Sequence, residues 1–171
     1  MWAIRGLADT SLPLFAGIDD EAEPEVALAP MTAGRQVVED YRATGLSLRR
    51  HPVAFLRGDL RARGIVSCAD LATLRDGRKV EVAGIVLVRQ RPGSAKGVLF
   101  VTLEDETGHA NLILWPQVFE RQRRLVLGAS MLSCRGKLQR ESDVIHVVAD
   151  EVSDLSDLLR EVGDRDGLGL R

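Results

Sequence analysis

Cysteine is almost missing from this 171-residue chain, which holds only Cys68 and Cys134. They stand far apart and share no metal-ligand spacing, so a disulfide framework and a zinc site are excluded and two buried, reduced thiols are expected. Histidine is nearly as scarce. His51 and His146 have no partner at a spacing suited to metal or nucleophile chemistry and read as structural. Aromatic residues make up 4% of the chain, and lysine occurs only at positions 79, 96 and 137 against twenty arginines. No apolar run approaches the length of a membrane span. The opening MWAIRGLADTSLPLF lacks the basic start and long apolar block of a secretory signal, which makes the cytoplasm the expected location. Phosphate-cradling glycine loops and catalytic triads are also absent, so nothing in the chain announces catalysis.

What is present is a patterned charge. The net −2 divides into −5 over residues 1–30, +8 over 31–141 and −5 over 142–171. A basic centre between acidic ends suits a module that binds a polyanion, although ordinary solvated charge gives the same count. Residues 16–30, AGIDDEAEPEVALAP, are aperiodic and acidic and read as a linker. Residues 31–75 read as a small helical connector. Thr32 caps a first helix that stops at Gly45, Pro52 opens a second that stops at Gly64, and the box Ser67–Asp70 opens a third that reaches Leu74.

From Lys79 the hydrophobic period changes to two. Strands are expected at Lys79–Gln90, bent at Gly84, at Val98–Glu104 and at His109–Trp115. The helical patch QVFERQRRLVLG follows Pro116. Two more strands, Ser130–Gln139 and Val144–Ala149, precede a last helix over Ser153–Val162 and a tail, so 153–171 is set apart from the body at 76–152. Three strands, a helix and two strands is the order of an OB-fold, a five-stranded barrel. The expected fold is therefore mainly β: an acidic linker, a helical connector, and the barrel.

In the second strand Leu99, Val101 and Leu103 are aliphatic and belong inside, which turns Phe100 outward as a platform on which a base can stack. Asn111, on the facing strand with His109, Ile113 and Trp115, can hydrogen-bond a base edge. Trp115 itself reads as a plug beside Pro116. Arg89, Arg91 and Lys96 bracket the loop between strands one and two. Arg135, Lys137 and Arg140 follow strand four into the turn before strand five. These two loops flank one groove in an OB-fold, so six cations there would draw phosphates. Glu104-Asp105-Glu106 resembles a Mg²⁺ site, but a tight turn suits it better, because metal pairs need carboxylates converging from separate elements.

The stretch GIVLVRQRPGSAKGVLFVTLEDETGHANLILWP (84–116) closely resembles the C-terminal OB domain of bacterial error-prone DNA polymerases, C-family enzymes related to the polymerase III alpha subunit. DYRATGLSLRRHPVAFLR (40–57) and VIHVVADEVSDLSDLL (144–159) resemble the connector before that domain and the family's C-terminal end. The pattern of Phe100, Leu103, Asp105 and Gly108 is also similar to anticodon-binding barrels of class II aminoacyl-tRNA synthetases, where the matching aromatic stacks on a base. The polymerase resemblance implies a single-stranded DNA-binding module of an enzyme for translesion synthesis and repair. Its two catalytic Mg²⁺ ions would sit on a palm domain that nothing here matches, so no cofactor is expected in this chain. SLPLF (11–15) faintly resembles the peptide by which polymerases bind the sliding clamp. A monomer is expected, with translesion accessory proteins as further partners. Two other functions remain open: a protein-docking module, and an RNA- or tRNA-binding barrel.

Overall fold

The structure, a computed structural model, describes residues 30–44, 50–141 and 144–164. The acidic linker up to residue 29, the clamp-like SLPLF and the tail after 164 lie outside these. The elements of the fold all belong to the unit Met31–Arg171.

Five strands form a closed barrel: β1 (Lys79–Gln90), β2 (Leu99–Asp105), β3 (Gly108–Leu114), β4 (Met131–Glu141) and β5 (Val144–Asp154), in the order β1-β2-β3-β5-β4. Closure depends on β1 serving two partners. Lys79–Ile85 pair with β4, and Ile85–Gln90 pair with β2. Gly84 sits at the changeover, where a Cβ would lie 2.5 Å from the carbonyl oxygen of Glu104. Only glycine lets the two backbones approach so closely. A bulge between Val86 and Val88 follows and leaves Leu87 exposed. On the far side, β3 and β5 meet in parallel through Asn111–His146, Leu112–Val147 and Ile113–Val148.

Strand alternation fills the barrel. Val80, Val82, Leu99, Val101, Leu103, Leu112, Leu114, Leu132, Leu138 and Val147 are buried in one cluster. The helices α3 (Pro116–Arg121) and α4 (Arg123–Gly128) join β3 to β4 and add Phe119 and Val126 to that cluster. The expected single helix is broken at Gln122 (φ −117°, ψ 23°), whose amide donates to the Val152 carbonyl and accepts from the Val152 N–H. Phe119 therefore takes the plugging role that the sequence suggested for Trp115. Trp115 follows inward-facing Leu114 and is 52% exposed, because one step along a strand reverses the direction of a side chain.

A second apolar core lies outside the barrel wall. Helix α1 (Ala33–Thr44), a 3₁₀ turn over Pro52–Leu56 and helix α2 (Arg57–Ala62) set Val37, Val53, Phe55, Leu56, Leu60 and Ile65 against Ala83, Ile85 and Met131. This part of β1 is thus covered on both faces, which is why Val82, Ala83, Gly84 and Ile85 are all buried. Helix α5 (Ser156–Glu161) leads to Val162 in the same core, and the Thr32 hydroxyl donates to the Gly163 carbonyl at 2.6 Å. The connector and the C-terminal helix are packed against the barrel wall through this second core.

Several elements differ in extent from the sequence expectation. The third connector helix is one 3₁₀ turn, Ala69–Ala72, although Ser67 and Asp70 do exchange the hydrogen bonds of a capping box. Strand β5 runs on to Asp154, so the final helix starts at Ser156 instead of Ser153. Beyond Ala149 its residues are mostly polar, but β4 pairs with it as far as Leu132–Asp154, and Val152 still points inward.

Candidate nucleic-acid interface

The outer wall of β2, β3 and β5 carries the residues of interest. The burial of β2 alternates along its length, with Leu99, Val101 and Leu103 inside and Phe100, Thr102 and Glu104 outside. Register places Phe100 against Gln90 on one side and Ile113 on the other, with Val148 beyond. The next row holds Val88, Thr102, Asn111, His146 and Gln139. One row therefore offers an aromatic and aliphatic surface, and its neighbour offers amides, a hydroxyl and an imidazole. Between them lies an open groove of about 540 Å³, lined by Lys96, Phe100, Ile113, Trp115, Gln139 and His146 among others.

Local chemistry sets the donors. The Thr102 hydroxyl donates to Oδ1 of Asn111 at 3.2 Å, which leaves the Asn111 amide nitrogen as a donor facing outward. Lys96 is in a left-handed conformation (φ 46°), followed by Gly97 at φ 87°, so the loop turns tightly back into β2.

The six expected cations do not gather around this groove. Lys96 alone among them lines it. Arg89 donates from Nε to the Val126 carbonyl at 2.7 Å and from its terminal nitrogen to the Ala129 carbonyl, so it caps the end of α4. Burial lowers its pKa. Arg140 reaches the carbonyls of Ala72 and Leu74. Arg135 lies between Glu81 and Glu151, at 3.5 and 3.6 Å. Lys137 faces outward in register with Lys79 and Val148. Arg91 stacks over the Phe119 ring, 5.3 Å from its centroid. A guanidinium beside an unpaired carbonyl or carboxylate is drawn to it, and sequence proximity to a loop does not reveal those competitors.

The acidic turn has a structural task that the sequence only half disclosed. Asp105 is buried and accepts five hydrogen bonds: from the Thr107 N–H and hydroxyl, the Gly108 N–H, the Cys68 N–H and Arg57. Arg57 pairs with Glu106 as well. Burial pushes the Asp105 pKa up, but the hydrogen bonds and Arg57 outweigh it and hold the carboxyl below its usual range. Glu104 accepts from the Tyr41 hydroxyl at 2.9 Å. Burial first, and Glu104 second, raise the pKa of that hydroxyl. Because these carboxylates are spent on the connector and the turn, they do not fit a pair of catalytic Mg²⁺ ions. No group of three or more metal-ligating side chains occurs among the described residues.

Comparison with known proteins places this geometry. The family described as OB-fold nucleic acid binding domain matches residues 80–155, which is the barrel. The barrel is thus an OB-fold. It is 55% identical over 174 residues to error-prone DNA polymerase 2 of Agrobacterium fabrum, covering 97% of this chain and 16% of that protein. Against the error-prone DNA polymerase of Caulobacter vibrioides it is 49% identical over 172 residues, with 98% and 16% covered. Over nearly its whole length the chain is similar to one part of bacterial error-prone DNA polymerases, and it spans about one-sixth of the length of these relatives. Among solved structures, asparaginyl-tRNA synthetase from Pyrococcus horikoshii aligns over 53% of this chain and 23% of its own, at 22% identity and a TM-score of 0.44. No helix among the described residues is long and apolar enough to cross a membrane.

Proposed function

We propose that this domain holds single-stranded DNA for an error-prone polymerase, gripping unpaired template during synthesis across lesions. The observation that carries this reading is Phe100. A phenyl ring on the outer wall of a barrel, beside a free amide donor and a lysine, is suited to stacking and reading an unpaired base. Lys96 meets a phosphate, Phe100 and Trp115 offer ring faces, and Asn111 donates to a base edge. Duplex DNA cannot offer those faces, because its bases are already stacked. In this reading nucleotide addition belongs to other parts of the polymerase.

The test is fluorescence anisotropy with labelled single-stranded DNA, RNA and duplex across a salt series. Single-stranded DNA should bind best, with affinity falling as salt rises. Phe100→Ala should weaken it by about 1–3 kcal/mol, roughly 5- to 150-fold. A preference for RNA would move the assignment to ribose recognition, and no oligonucleotide affinity at all would overturn it in favour of protein docking.

A further inference from the structure

We infer a second nucleic-acid contact, a phosphate-binding ledge formed by Arg91 and Arg123 on the Phe119 ring, which continues the groove past Trp115 onto α3 and α4. The inference rests on the groove being the strand-binding site and extends it through Arg91, one of the expected loop cations, to Arg123, which neither the barrel face nor its loops would suggest.

Three observations carry it. Arg91 and Arg123 lie 5.3 and 5.8 Å from the centroid of the same ring, and both are exposed. Phe119 is held in the barrel core at 3% exposure, so it forms a fixed seat. A guanidinium resting on an aromatic face keeps its edge N–H donors free for a phosphate and loses little freedom when it binds one. This sets the pair apart from Arg89 and Arg140, whose donors are taken by backbone carbonyls. The third observation is contiguity. Lys96 and Trp115 line the groove, and Gly97, the chain neighbour of Lys96, lies beside both Arg91 and Pro116: a Cβ on Gly97 would meet the Arg91 terminal nitrogen at 3.3 Å and Pro116 at 3.5 Å. The Lys96 end of the groove therefore abuts the Arg91 guanidinium. Opposing charge is weak, since Arg123 approaches Glu120 only at 3.6 Å with both side chains more than half exposed. Arg121 points elsewhere, to the Asp150 carbonyl.

A strand bound in the groove would lay its next phosphates on this ledge, so the two contacts separate by length. The experiment compares oligothymidylates of about 4 and about 12 nucleotides, both within the known range for OB folds. The double variant R91Q/R123Q should weaken the long strand about tenfold at low salt and leave the short strand within about twofold. Its salt slope for the long strand should fall by about 1.4, the value for two phosphate contacts on a single strand. Arg123→Glu alone removes no buried contact and should show the same length dependence if the double variant proves unstable. Equal loss on both lengths, or none, would overturn the ledge. Phe100→Ala weakens both lengths if the groove binds, so failure of the groove reading is seen separately, as no effect of that variant.

Discussion

Removing the Asp105 carboxylate should be the most damaging single change on the surface that joins connector and barrel. Asp105→Ala deletes five accepted hydrogen bonds at once and leaves Arg57 with Glu106 as its remaining carboxylate partner. The Arg57 and Asp105 side chains are 10% and 0% exposed, so solvent does little to soften the loss. Breaking a buried pair from one side costs about 3–5 kcal/mol. Arg57→Met removes the other partner, and the double variant should cost clearly less than the two singles together, because the unpaired charge disappears. Urea denaturation followed by circular dichroism measures all three. A cost below about 1 kcal/mol for Asp105→Ala, or strict additivity in the double variant, would refute the argument that this carboxylate holds connector to barrel. The pH dependence has a definite sign. The folded pKa lies below the usual aspartate value, so the stabilisation is complete above about pH 4 and is lost as pH falls through the folded value. Acid unfolding of the Asp105→Asn variant should lose that dependence.

Further outcomes follow from the same contacts. Arg89→Met should cost about 1–3 kcal/mol in stability, by stranding the carbonyls at the end of α4, yet leave the salt slope of oligonucleotide binding unchanged. Gly84→Ala forces a methyl into the Glu104 backbone and should destabilise by about 1–3 kcal/mol, seen as a lower urea midpoint at unchanged slope. Both thiols should resist alkylation at about pH 8 in the native protein and react in urea. Burial pushes the Cys134 pKa up to about 12, and burial and Asp105 raise that of Cys68.

The barrel is legible because its signals are local and periodic. The change from helical spacing to period two at Lys79, the glycine at the strand-one bend, and the alternation around Phe100 each rest on a few adjacent residues. The second core is not legible. Ala83, Ile85 and Met131 look like ordinary strand residues, and only the folded chain shows that their outer side is covered by Leu56 and Val162. The arginines mislead for a related reason. Their positions near two loops follow from the sequence, but the carbonyls of Ala72, Leu74, Val126 and Ala129 that capture Arg140 and Arg89 are backbone atoms, and no residue type announces them. Trp115 lies on the outer side with Asn111 and Ile113, as strand phase requires, so only its reading as a plug fails, and Phe119, inside an apparently continuous helix, takes that place in the core.

The join between β3 and β5 spans three residue pairs, while β4 and β5 pair along almost their whole length. That short parallel seam runs beneath Ile113 and His146, under the floor of the groove. Any molecule lying across those two side chains bridges the place where the cylinder is most thinly stitched. Occupancy and closure of the barrel would then reinforce each other, and the empty domain would breathe there first.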